Sequence, residues 1–188
     1  MNRCLALALC ALLPATAQAG ELADAAAAVE SAVTANDFAA WQSAAATLET
    51  KLWFSAGLHF GTLTLVSAQS TGYGVYQSRA DNVYAQGEPI LIYAEPKGYG
   101  YGDAGNGMYE IAFDIDLIVK DTASGEVLLE SPALMQITYQ AMVPAREFVA
   151  NLNYTLGTAP PGSYTLETVF HDRHGGQQAS FTSDIVIR

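Results

Sequence analysis

The chain has 188 residues, 51% hydrophobic and 14% charged, with 8 Lys and Arg against 19 Asp and Glu and a formal net charge of −11. Such acidity repels phosphate backbones and anionic head groups, which argues against nucleic acid as a partner. The length suits one domain whose core is large enough to fold without cross-links, and its acidity suits solubility more than cation binding.

The first residues read as an export signal. Arg3 supplies a positive start, residues 5–13 (LALALCALL) form an apolar run too short to span a bilayer, and Pro14 ends it ahead of the small-x-small signal Ala17-Gln18-Ala19. Cleavage after Ala19 would make residues 1–19 a signal peptide and place the mature chain, from Gly20, in the periplasm or outside the cell. A lipid anchor needs a small residue before the modified cysteine, but Arg3 precedes Cys4 and Leu9 precedes Cys10. Cleavage also removes both cysteines, leaving neither a disulfide nor a thiolate. No later run is long and apolar enough for a membrane span.

Residues 20–53 are alanine-rich and read as a helical segment. Asn36-Asp37 interrupts it, Asp37 suits the N-cap of a second helix, and Phe38, Trp41, Ala45, Leu48 and Leu52 recur at three- and four-residue steps. An acidic helix without basic flanks favours docking of that stripe on the protein's own main domain over a membrane.

From residue 54 the pattern changes to strands. The β-branched and aromatic runs are 58–68, 74–79, 89–95, 109–121, 126–131, 134–142, 146–156, 164–172 and 177–187, punctuated by Gly, Pro, Asp and Ser. The run 109–121 (YEIAFDIDLIVKD) is the organising one: Tyr109, Ile111, Phe113, Ile115, Leu117 and Val119 alternate with a mostly polar set, which puts them on one face of a half-buried strand. Residues 121–126 and 171–176 read as hairpin turns, and 158–163 (TAPPGS) as a rigid turn. Short strands without intervening helices predict a mainly β fold in residues 54–188. The expected form is an antiparallel immunoglobulin-like or C2-like sandwich of about eight or nine strands, preceded by one or two short helices.

Two stretches carry a resemblance. Pro160-Pro161-Gly162-Ser163-Tyr164-Thr165-Leu166, with His171-Asp172 and Gly175-Gly176, resembles the ending of bacterial immunoglobulin-like sandwich domains. Residues 73–79 (YGVYQSR), with 87–90 (GEPI) and 93–99 (YAEPKGY), resemble a group of uncharacterised exported proteobacterial proteins. The resemblance implies the sandwich and export, and brings no activity or site residue with it.

Three clusters could carry chemistry. His171, Asp172 and His174 place two imidazoles and a carboxylate within one turn, a donor set that Zn²⁺ accepts, although a polar hairpin tip needs the same residues. Asp114 and Asp116 project from the same outer strand face, where Ca²⁺ would find two carboxylates and no loop to complete its shell. The segment 98–107 sets Tyr99, Tyr101, Asp103 and Asn106 among five glycines. That composition suits either an adaptable recognition loop for a protein or glycan, with the tyrosines partly exposed, or an edge loop folded over its own sandwich.

Enzyme signatures are otherwise missing: there is no G-x-S-x-G, no H-E-x-x-H and no cysteine nucleophile. The lone His59 fits a satisfied core position. Arg79 and Arg146 fall inside strand patterns and should meet carboxylates such as Glu88, Glu95 or Glu147. The reading that follows is a non-enzymatic binding or accessory module without a cofactor. Its alternative is a metal-dependent or carboxylate hydrolase using Asp114, Asp116, His171 or His174.

Overall fold

The computed structural model describes residues 15–188, with side chains from Gly20 onward; the apolar leader and both cysteines lie outside the described residues. It divides into a helical unit ending at Ser55 and a β unit beginning at Ala56.

The helical unit is a hairpin of α1 (Ala15–Thr34) and α2 (Phe38–Ser55). Asn36 adopts a left-handed φ of 53°, which ends α1 as a C-cap does, and Asp37 Oδ1 accepts the Ala40 N–H at 3.0 Å as the N-cap of α2. Ala25 and Ala32 are buried in α1, where small side chains let two helix backbones approach. In α2, Phe38 is 71% exposed and packs on Trp41 with ring centroids 5.4 Å apart.

The β unit contains β1 (His59–Val66), β2 (Val83–Tyr84), β3 (Ile90–Lys97), β4 (Gly102–Gly105), β5 (Met108–Asp121), β6 (Val127–Ala141), β7 (Ala150–Tyr154), β8 (Gly162–Asp172) and β9 (Gln178–Ile187). They form a sandwich of a three-stranded sheet, β1-β3-β7, and a six-stranded sheet, β2-β9-β8-β5-β4 with β6 on β5. All pairings are antiparallel except that of β2 with β9, where Val83 and Tyr84 run parallel to Val186 and Ile187.

β5 is central. β6 pairs along one of its edges, and β8 followed by β4 pairs along the other. Ile111, Phe113, Ile115, Leu117 and Val119 are buried as their alternation requires, worth roughly 1.5–3 kcal/mol each before entropy, while Tyr109 at the strand start is exposed. They meet Ile90, Ile92 and Ala94 of β3 and Ala150, Leu152 and Tyr154 of β7 in the core, together with Leu166 and Phe170 of β8. A buried hydrogen bond of 3.1 Å joins the Tyr154 hydroxyl of the small sheet to Thr168 Oγ1 of the large one. Both hairpins form, with Gly125 at φ 72° and Gly176 at φ 66°, and Tyr164 Oη donates to the Pro160 carbonyl at 2.7 Å.

Three expectations change. Residues 74–79 make only isolated bridges, Val66 with Ser78 and Gly72 with Val75, because Gly74 at φ 72° turns the chain across the outer face of the small sheet. The runs 126–131 and 134–142 are one strand, β6, carried through Pro132 by a bulge. There Ala133, at φ 47°, gives its N–H to Asp116 Oδ1 at 2.7 Å, and a bulge needs no ladder donor from proline. His59 is exposed rather than a core histidine; its Nδ1–H donates to the Gly57 carbonyl at 2.8 Å.

Candidate functional site

The glycine-rich segment 98–107 is not an open loop. Tyr99 is fully buried, donates its hydroxyl to the Ala145 carbonyl at 2.8 Å, and lies edge-on to Phe113 and Phe148. Burial pushes its phenol pKa up, and the neighbouring Tyr101 adds to the shift. Tyr99 therefore follows the reading of an edge segment folded over its own sandwich and is corrected as a partly exposed contact, while Tyr101 is half-buried and shares the same carbonyl at 2.9 Å. Asp103 and Asn106 are exposed, but they shape the β4–β5 turn: Asp103 Oδ1 accepts the Gly105 N–H at 2.8 Å and Asn106 has φ 53°. Gly100 and Gly102 are required by close approach. A Cβ at the first would lie 2.4 Å from Gly175 N, and one at the second 2.2 Å from the His174 ring.

The histidines and aspartates separate into different pairs. His171 Nε2 donates to Asp116 Oδ2 at 2.7 Å, Asp114 Oδ1 accepts from Gln136 Nε2 at 3.0 Å, and His174 Nε2 donates to Glu110 Oε1 at 3.1 Å. Asp172, the carboxylate between the two histidines, points inward and is spent on backbone N–H groups. Among the described residues no group of three His, Cys, Asp or Glu gathers to hold a metal ion. The reason is strand geometry: β8 sends His171 to the outer face and Asp172 to the core, and the hairpin carries His174 to the β4 side.

The Ala133 N–H, and after it His171, hold the Asp116 carboxyl below its ordinary pKa of 3.8. A carboxylate whose pKa is depressed by folding adds stability above the unfolded value and loses it as pH falls through the folded one. Denaturant titrations should therefore show an acid loss of stability starting near pH 3.8 that Asp116→Asn reduces. An identical acid limb in wild type and variant would refute the assignment.

A second polar group lies on the outer face of β3, where Tyr93, Glu95 and Lys97 alternate beneath the segment 70–79. Tyr93 donates to Glu95 Oε1 and accepts the Gly74 N–H at 2.7 Å; burial, and then the bond to Glu95, pushes its phenol to about 12. Lys97 Nζ donates to Tyr73 Oη and lies 4.0 Å from Glu95 Oε2, while Asn151 exchanges two bonds with the Ser70 backbone. These contacts fasten the segment to the sheet. Glu95 thus meets Tyr93 and Lys97 rather than an arginine. Arg79 does reach Glu88, at 2.8 Å, and stacks 4.1 Å from the Tyr84 ring centroid.

The remaining feature is a cleft. β7 is the last strand of the small sheet and β6 pairs only with β5 in the large one, and Phe148, just before β7, packs on Phe113 of β5 and Tyr139 of β6. Register with β5 places Leu129, Ser131, Met135, Ile137 and Tyr139 of β6 on the inward face, yet Leu129 is 48% exposed and Tyr139 is exposed too. The result is a cleft of about 870 Å³ whose lining includes Leu117, Val119, Leu129, Leu134, Met135 and Leu156. Its polar lining is confined to groups such as Ser131, Asn153, Thr155 and Tyr164, with no charged residue. That size and chemistry match sites that enclose apolar ligands oriented by a few polar groups. Sequence reasoning missed it because Leu128, Leu129 and Leu134 read as ordinary strand residues; the one available signal was apolar residues on both faces of 127–129.

No family model and no curated protein matches the chain. Among solved structures, the superoxide reductase (neelaredoxin) from Ignicoccus hospitalis and a variant of that same protein are each similar at 11% identity over 69% of this chain and 82% of theirs. The TM-score is 0.37 in both cases, too slight a likeness to bear on fold or function.

Proposed function

We propose that this chain is an exported, non-enzymatic binding module and that it binds an apolar group in the cleft between β6 and β7. The cleft carries the reading: an inward-facing apolar row left open in a sandwich otherwise closed by large buried side chains. Export is supported by Arg3, the apolar run 5–13 and the Ala17-Gln18-Ala19 signal. A hydrolase reading finds less support, since Asp116 and His171 pair with each other and with the Ala133 N–H, while Asp114 and His174 are bonded elsewhere, to Gln136 and Glu110.

Titration with Nile red, an uncharged apolar dye, tests the reading. The wild-type chain should enhance its fluorescence saturably, and Leu129→Glu should weaken binding by roughly tenfold or more by placing a carboxylate where no countercharge exists. Because Leu129 is half exposed, its replacement should leave stability within about 1 kcal/mol. Equal dye binding by the variant, or none by the wild type, would remove the cleft as the binding place.

A further inference from the structure

We infer that the natural occupant of the cleft is an extended segment of another protein, apolar at alternate positions and flanked by basic residues, which adds beside β7 as a fourth strand of the small sheet. This rests on the binding reading above and goes further by naming the class of ligand.

The first support is topology. Among the described residues β7 ladders only with β3, from Ile90 with Tyr154 to Ala94 with Ala150, so its far edge presents backbone N–H and C=O groups without a strand partner. Neighbouring strands lie roughly 4.8 Å apart and facing sheets about 10 Å apart. A strand laid against that edge would widen the small sheet on the side of the cleft that β6 and the end of β7 line together. Leu129, Leu134 and Met135 would then be covered from above.

The second support is chemical. A compact apolar molecule could fill the volume between Leu117, Val119, Leu134 and Leu156, but it would leave the β7 edge to water. An extended chain supplies both halves: its backbone completes the ladder, and every second side chain enters the uncharged cleft. β7 has five residues, which sets a ladder of about five residues with two or three inward side chains.

Charge selects among possible strands. The chain carries −11, Glu126 and Glu130 are exposed on the β6 side, and Lys120 is committed to Glu167 at 2.7 Å. Basic flanks are therefore favoured and acidic ones repelled. The same charge opposes a second copy, and the bulge at Pro132 and Ala133 interrupts the β6 edge against continuous pairing with its own equivalent.

The test uses a synthetic peptide, Lys-Lys-Val-Thr-Val-Thr-Val-Lys-Lys, with calorimetry for affinity and amide hydrogen exchange for location. Binding should slow exchange of the exchangeable amides from Ala150 to Tyr154 by roughly tenfold or more. A central proline should weaken binding by at least about tenfold by removing a ladder donor, and glutamate flanks by a similar factor at low salt. Leu129→Glu should lose the peptide. If Nile red binds in the cleft but the peptide does not, or if the proline peptide binds equally well, the strand inference fails while the binding reading stands. If neither probe binds, both fail. A sedimenting dimer that excludes Nile red would overturn the inference in favour of a second copy.

Discussion

Replacing Tyr99 by alanine is expected to destabilise the β unit by roughly 3–5 kcal/mol, the usual cost of deleting a fully buried aromatic ring. The ring is wholly inaccessible and touches Phe113 of β5 and Phe148 of the crossover from β6 to β7. Collapse around the vacancy is restricted because Gly100, the next residue, lies against Gly175 with no room for a Cβ. Tyr99→Phe keeps the ring and removes only the bond to the Ala145 carbonyl, so about 1 kcal/mol should be lost. Denaturant midpoints with an unchanged slope give both numbers. A loss below about 1 kcal/mol for the alanine variant would mean that the ring does not pack as described and would reopen residues 98–107 as a contact surface.

Asp172→Ala should be comparably severe, on the order of 4 kcal/mol. Its carboxylate is 3% exposed; Oδ2 accepts the Gly100 N–H at 2.7 Å, and Oδ1 accepts those of His174 at 3.0 Å and Gly175 at 2.9 Å. Hydrogen bonds to a charged group are worth roughly 1.5–3 kcal/mol each, and these three share one acceptor and do not add fully. Alanine leaves all three amides without their acceptor and frees the segment before β4 from the β8–β9 turn. Asp172→Asn, which keeps one acceptor oxygen, should fall between wild type and the alanine variant. Equal midpoints for Asp172→Ala and wild type would show that water or backbone shifts replace the carboxylate.

These two residues also show where local reading stops. Tyr99 stands among glycines, and a glycine-tyrosine composition serves equally for a mobile contact loop and for a backbone pressed too closely against another segment for any Cβ. Only the approach of Gly175 and His174, more than seventy positions along the chain, decides between them. His171, Asp172 and His174 look like one donor set along the chain. Strand alternation and the hairpin send them to three separate environments.

The sequence by itself determined what depends on neighbours in the chain. The period of two in β5 specifies which side chains share a face, Asp37 specifies where α2 begins, and Asp and Gly specify the hairpins at 121–126 and 171–176, because alternation, capping and left-handed φ act over a few residues. It also indicated that Arg79 would need a carboxylate, since a guanidinium in a strand pattern is costly without one. The tertiary structure alone decided which inward faces are covered. Leu129 follows the same alternation as its register partner Val119 one strand away, yet Val119 is 4% exposed and Leu129 stands 48% exposed in an open cleft. The difference arises because the chain crosses after β6 to a sheet that ends at β7, and the width of an opposing sheet is set by long-range pairing that no local pattern encodes.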